Sequence, residues 1–362
     1  MQNMGIEMLE RARFDAASLG AIVVRNDPGN APWGEARNVA LHVSGAEFNP
    51  IANLSRCFGL DTAFVTAMVP NHPLGVRAQQ GIREMGVKAF YRMFEHNGMD
   101  GPNIAQTFSD RGWPGRPPKV GYNRANEAAQ LLVPEDFDWD RVFEGGMRLF
   151  HCGGLFTALC QKTTDLAIHA FQQAKQHGAM LSYDLNWRPA LWGRRGGEAA
   201  AQAANHEIAK MLDVLVGNEE DLQRALGIEG PDVEKAGKLD TQVFRAMIEA
   251  ARKKYPNLRV IATTLRETVT PFKHRWSAIA WAEGKFVEAP VAELDVFDRI
   301  GGGDGFAAGF FYSLLTGKSL EDAVLRGWAH GALITSFAGD TTMATMEMVE
   351  EYMAGPGSRV KR

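Results

Sequence analysis

Residues 62–86 read TAFVTAMVPNHPLGVRAQQGIREMG. Thr62 to Val69 is apolar and extended in pattern, Gly75 to Met85 is amphipathic at helical spacing, and Gly86 closes the segment. One strand followed by one helix is the unit of a βαβ fold, and the unit recurs along the chain. Upstream, Ala17 to Val24 reads as a buried strand, Asn26 to Pro32 as a turn and Arg37 to Val43 as a second strand. Ile51, Leu54, Ser55 and Phe58 then mark a helix stopped by Gly59. Downstream, strands are expected at Met147 to His151, Ala179 to Leu185, Asp213 to Gly217, Arg259 to Thr264 and Trp276 to Trp281. Helices are expected over Thr164 to Gln176, Ala199 to Met211, Val243 to Lys254, Phe306 to Leu315, Leu320 to Ser336 and Met346 to Met353. This alternation implies a largely parallel sheet. Lys88 to Arg124 breaks the rhythm. It is rich in Gly, Pro and aromatics, with short alternating pieces at Asn103 to Ser109 and Lys119 to Asn123, and reads as a small β appendage crossing the main sheet. Met1 to Arg13 reads as a frayed tail or short helix.

With 362 residues, 45% hydrophobic and 23% charged, the chain is long enough for one large α/β domain plus an appendage. A net charge of −4, spread over mixed-sign segments, gives nucleic acid no basic surface to bind. Cys57, Cys152 and Cys160 form no CxxC pair and leave one over, so neither a disulfide framework nor a zinc knuckle is expected and a reducing cytoplasm fits. His151-Cys152 reads as packing rather than as an activated thiol, because no third orienting group can be assigned. The nine histidines show no metal-ligand spacing. Met1 to Arg13 has no apolar signal region, and no stretch reaches the roughly 18 apolar residues of a membrane span.

In open α/β sheets, ligands gather at the carboxyl ends of the strands, where the polar motifs of this chain fall. Asp298 to Phe310, DRIGGGDGFAAGF, joins a glycine turn to an acid at the mouth of an apolar helix. Consecutive glycines let backbone N–H groups crowd around an anion, and the positive end of the helix adds to their field. The same run also suits an ordinary helix cap, and spacing alone leaves both readings open. Asp184 to Trp192, DLNWRPALW, leaves a buried strand and sets Asp184, Asn186 and Arg188 before Pro189. Arg188 could fork onto a ligand carboxylate or tie back to Asp184. At Gly217 to Asp221, acids at a first helical turn serve the helix dipole or, with Asn218, the waters of a magnesium ion.

Taken in order, these motifs resemble the PfkB-type, ribokinase-like carbohydrate kinases, from about Ala17 onward. The glycine-Asp run looks like the family's C-terminal signature, with Gly302 where many members have alanine. Val43 to Asn49 is similar to its sugar-contacting turn, with Ser44 at one of two usual glycines. Asp184 to Trp192 most resembles the 2-keto-3-deoxygluconate kinases. The resemblance implies an α/β three-layer sandwich with a central, mostly parallel sheet and a small β-sheet lid. It implies a tail over 1–13 and one kinase domain over 14–362, whose lid strands come from about 21–45 and 88–125. ATP and Mg²⁺ are the implied cofactors, and a monovalent cation, K⁺, is implied near Asp298, where a salt bridge from Asp298 to Arg299 or another base is the alternative.

The resemblance also assigns roles. Asp304 is the base that takes the proton of the terminal hydroxyl, and Gly301, Gly302 and Gly303 stabilise the transferring phosphoryl group. Gly45, Asn49, Tyr122, Arg124 and Arg188 contact the sugar acid. Two arginines facing one substrate suit a carboxylate. Asn218, Thr264 and Arg266 serve the nucleotide with Gly301 and Gly303, while Asn218 and Asp221 hold magnesium waters. His330 reads as a packed helix residue near the nucleotide pocket. Three departures stand out. Asp221 replaces the glutamate of the family's NxxE motif, so Glu219 or Glu220 could share its task. Leu265-Arg266-Glu267 lacks the glycines of many relatives, and Trp113 to Pro118 is inserted in the lid region.

The expected reaction is phosphorylation of 2-keto-3-deoxygluconate at its terminal hydroxyl. A kinase for fructose, 2-keto-3-deoxygalactonate or a deoxy-keto-inositol-derived acid and a non-catalytic sugar-binding relative are the alternatives. A dinucleotide oxidoreductase is disfavoured, because Phe306 stands where GxGxxG needs glycine. The lid sheet could pair with its twin across a two-fold axis, which leaves the assembly open.

Overall fold

The computed structural model describes residues 2–218, 220–230, 239 and 241–355. Sixteen strands are described, in chain order β1 Gln2–Asn3, β2 Ile6–Glu7, β3 Phe14–Leu19, β4 Val23–Asp27, β5 Ala40–Ser44, β6 Thr62–Met68, β7 Lys88–Met93, β8 Ala105–Ser109 and β9 Val120–Asn123. There follow β10 Met147–Gly153, β11 Met180–Asp184, β12 Val214–Asn218, β13 Val260–Thr270, β14 Lys273–Ala282, β15 Lys285–Glu288 and β16 Ala292–Asp295. The longer helices are α1 Phe48–Phe58, α2 Pro73–Glu84, α3 Gln161–Gln176, α4 Gly197–Ala209, α5 Thr241–Lys254, α6 Gly302–Leu315, α7 Leu320–Ile334 and α8 Met346–Met353.

The central sheet runs β15-β14-β13-β12-β11-β10-β3-β6-β7, with β16 also paired to β14. From β7 to β13 every pairing is parallel, and only the hairpin edge beyond β13 is antiparallel. Every residue of β6 is buried, as a parallel strand covered on both faces must be. Helices α1, α6 and α7 pack together as one layer, and α3 packs on β10 and β11 beside α4. The chain winds outward through β6 and β7 and then returns through β10 to β13. The order therefore reverses between β3 and β10, which opens a crevice at their carboxyl ends.

A second sheet, β5-β4-β8-β9, forms the lid. Two expectations change here. The run Ala17 to Val24 is two strands: the chain leaves the central sheet at Leu19 and enters the lid at Val23, and because both pieces are buried the hydropathy pattern does not show the break. Lys88 to Met93, read as part of the lid, is instead the edge strand of the central sheet. The lid's later strands begin only at Ala105. The Trp113 to Arg116 turn of the inserted stretch reaches the β13–β14 hairpin turn, its indole edge-on to Phe272 at 5.3 Å.

Where a tail was expected, β1 and β2 form a hairpin with Met4, Ile6 and Met8 buried in the core, and the Asn3 side chain donates to the carbonyls of Leu314 and Lys318. Glu7, Glu10, Arg11 and Arg13 hide this apolar alternation in the sequence.

Candidate functional site

The mouth of α6 carries the glycine run. Gly301 precedes the helix at φ +88°, a left-handed conformation suited to glycine, and no side chain caps the first turn. A Cβ on Gly301 would collide with the Asp340 carbonyl, whereas one on Gly303 would meet nothing within 4 Å. The loop is thus braced on one side and open on the other, and its N–H groups are available to an anion. The glycines that follow have another use. Gly305 lies against the backbone of Gly331, and Gly309 against Arg326 and Gly327, so α6 and α7 cross at backbone contact.

Asp304 is half-buried on the first turn of α6 and accepts a 2.6 Å hydrogen bond from the Asn49 side chain. Asn49 in turn accepts from the Gly45 N–H, so the turn after β5 and the carboxylate on α6 form one unit. Gly45 admits no side chain, because a Cβ would strike the Ala21 carbonyl. Burial pushes the Asp304 carboxyl up to about 7, with Asp340 and Glu47 adding to the effect against the Asn49 hydrogen bond and the Arg188 charge.

From the other side of the crevice, β11 delivers Asp184 and β12 Asn218 at their carboxyl ends, and β13 delivers Thr264 where its parallel pairing with β12 stops. Burial and the neighbouring Asp221 and Asp304 raise the Asp184 carboxyl well above its ordinary range. Arg188 donates to the Trp187 carbonyl and, among the described residues, has no ion-pair partner within 4 Å. The tie from Arg188 to Asp184 that the sequence allowed is therefore not made, and the guanidinium faces Asp184, Asp221 and Asp304 at longer range. Asp221 is buried and accepts from the N–H groups of Trp187 and Asn218, both at 2.9 Å, which staples the loop after β11 to the loop after β12. Asn218 accepts from the Glu220 N–H. Glu219 lies outside the described residues.

The lid contributes unevenly. Tyr122 is 57% exposed on β9. Arg124 is half-buried and held in a 2.6 Å ion pair with Glu127, so of the two arginines expected to face the substrate its charge is already matched within the protein. Arg266 is exposed beyond Thr264, where β13 continues to Thr270 and turns back into β14 as a long hairpin. His330 is packed as expected, between the Gly305 carbonyl and Thr342. His151 and Cys152 are likewise buried in β10.

Three residues stand in the site that the sequence reading did not place there. Glu47, fully buried, sits where the sheet order reverses. Both Gly20 after β3 and Gly153 at the end of β10 are hydrogen-sized gaps for it, and its Oε1 accepts from the Phe156 N–H at 2.9 Å. Burial pushes its carboxyl up to about 7. Arg299, beside the glycine loop, has a buried Nε without a hydrogen-bond partner, and burial and the nearby Arg266 lower its pKa. A buried guanidinium Nε left without a partner, near Arg266 and beside the glycine loop, is a donor suited to an anionic ligand. Arg25 on β4 is buried against Asp298 and Asp340. It stands between the expected strand ending at Val24 and the expected turn from Asn26, so no local pattern marked it.

The comparisons agree with this geometry. The chain is 28% identical over 356 residues to the 2-dehydro-3-deoxygalactonokinase of Haloferax volcanii, covering 96% of this chain and 99% of that protein. It is 25% identical over 346 residues to the 2-dehydro-3-deoxygluconokinase of Bacillus subtilis, covering 94% and 96%. The crystal structure of 2-dehydro-3-deoxygluconokinase from Thermotoga maritima superposes with a TM-score of 0.85 at 29% identity, covering 94% of this chain and 99% of that one. The model of the pfkB family of carbohydrate kinases matches residues 15–346, and the chain belongs to the pfkB carbohydrate kinase family.

Proposed function

We propose that this carbohydrate kinase transfers the γ-phosphoryl group of ATP to the terminal hydroxyl of 2-keto-3-deoxygluconate. The observation that carries the reading is Asp304, held by Asn49 at the open side of an uncapped glycine helix mouth. In this reading Asp304 accepts the hydroxyl proton as the oxygen attacks phosphorus in line. The N–H groups of Gly301, Gly302 and Gly303 receive the charge gathering on the phosphoryl oxygens. Gly45 and Asn49 seat the sugar, and Tyr122 approaches it from the lid. Arg188 meets the acid end, because its guanidinium, without an ion pair among the described residues, gains most from an anionic ligand. Arg124 shapes the same wall through its pair with Glu127. Thr264, Arg266 and Arg299 line the polyphosphate side.

Magnesium fits the donors present, which are hard oxygens at the end of β12. Asn218 would hold its waters, and Asp221 would reach them through the lone pairs its amide bonds leave free. When bound it neutralises phosphate charge. A second reading, the galacto epimer, is favoured by the Haloferax relative, whose name carries that substrate. Coupled ADP release over both 2-keto-3-deoxy acids, fructose and ribose tests the proposal. Turnover with a 2-keto-3-deoxy acid well above that with either neutral sugar is expected, and equal or better turnover of a neutral sugar would refute it.

A further inference from the structure

The resemblance placed a monovalent cation at Asp298, and the residues around that carboxylate do not suit one. Its Oδ2 meets the Arg25 guanidinium at 2.5 Å and accepts from the Gly339 N–H at 3.2 Å, while Oδ1 accepts from the Ile300 N–H at 3.3 Å. The same guanidinium lies 2.5 Å from Asp340 through Nε, a contact of charge rather than of an aligned hydrogen bond. Asp340 is held from its other oxygen by Ser44. Asp27, two residues along the same strand, faces Arg25 at 4.0 Å and is paired at 2.7 Å with Arg111, which stands 4.0 Å from Asp298. Two guanidiniums thus sit among three buried carboxylates.

We infer that Arg25 does permanently what a bound monovalent cation would do here, and that the enzyme's glycine loop is ordered without K⁺. Asp298 and Asp340 flank the loop in space: Asp298 lies three residues before Gly301, and the Asp340 carbonyl touches Gly301. A positive charge between them pins both walls of the loop. Arg25 supplies that charge covalently, through a planar group already desolvated and paired. Because Arg25 belongs to β4, the lid is tied by the same bond to the segment that holds the phosphoryl group. Without the guanidinium, two buried carboxylates would face each other, an arrangement that recruits a cation or a proton.

Arg25 is a positioning residue, and the test has two arms. Melting temperatures are measured in KCl and in tetramethylammonium chloride at equal ionic strength, without substrates. Turnover of the sugar acid is then compared in the same salts. For the wild type, equal melting temperatures and turnovers within about twofold are expected, since an ion that does not bind cannot shift the folded state. Arg25→Ala should melt lower and should regain stability in KCl but not in tetramethylammonium chloride. A wild-type melting temperature raised by K⁺, or wild-type turnover raised about tenfold or more by it, would overturn the inference. Only the turnover arm rests on the proposed function. If no sugar acid is phosphorylated, that reading fails while the melting comparison still decides the role of Arg25.

Discussion

Asp304 illustrates how one side chain's surroundings set its chemistry. A base must be ionised to take a proton, and burial pushes this carboxyl up to about 7. Turnover per unit of free enzyme and substrate is therefore predicted to fall about tenfold for each pH unit below that value, and a profile flat between pH 8 and 5 would exclude Asp304 as the base. Arg188→Ala should raise KM for sugar acids by about 10- to 100-fold, the loss of a charge-assisted hydrogen bond, and leave neutral sugars unchanged. An unchanged acid-to-neutral preference would remove Arg188 from the carboxylate. Arg299→Ala should raise KM for ATP with little change in that for the sugar, and steady-state kinetics in both substrates separates the two. At this scale the sequence was readable where a motif is local. Gly301 to Asp304 sits in one run, whereas Arg25 acquires meaning only from Asp298, 273 residues away.

Helices α6 and α7 owe their crossing to glycine. A Cβ at Gly309 would stand 2.6 Å from the Arg326 carbonyl, so Gly309→Ala must push the helices apart. The expected loss is about 1–3 kcal/mol of stability by denaturant titration, and an unchanged midpoint would contradict the packing described. The sequence showed both helices, because their apolar spacing is regular, but only Gly301 to Gly303 had a role there and Gly309 had none. Their second use depends on which helix lies opposite. Strand boundaries were legible where burial changes and lost where it does not. Thr62 to Met68 emerged cleanly between turns, while Leu19 and Val23, equally buried but in different sheets, merged into one run.

The whole molecule buries Glu47 where the sheet order reverses, and this links stability to pH. Glu47 has an ordinary carboxyl value when the chain is unfolded and one of about 7 when folded, so the folded state binds the extra proton between those values. Its contribution is present at low pH and is lost as pH rises through about 7. Glu47→Gln, a neutral mimic of the protonated form, should therefore gain stability relative to wild type as pH is raised from 5 to 8, measured by melting temperature. A difference that does not change with pH would mean that Glu47 is ionised throughout. The overall alternation, the parallel sheet and the separate lid were readable from periodicity, whereas the strand order that creates the crevice was not. Order is set by which apolar faces meet, and spacing along the chain does not record it. The central claim is that a carboxylate beside a nest of amides carries out phosphoryl transfer, and turnover of Asp304→Ala tests it most directly, with folding checked by melting. A fall of about 10²- to 10⁴-fold at an unchanged melting temperature is predicted, and turnover near that of the wild type would contradict it.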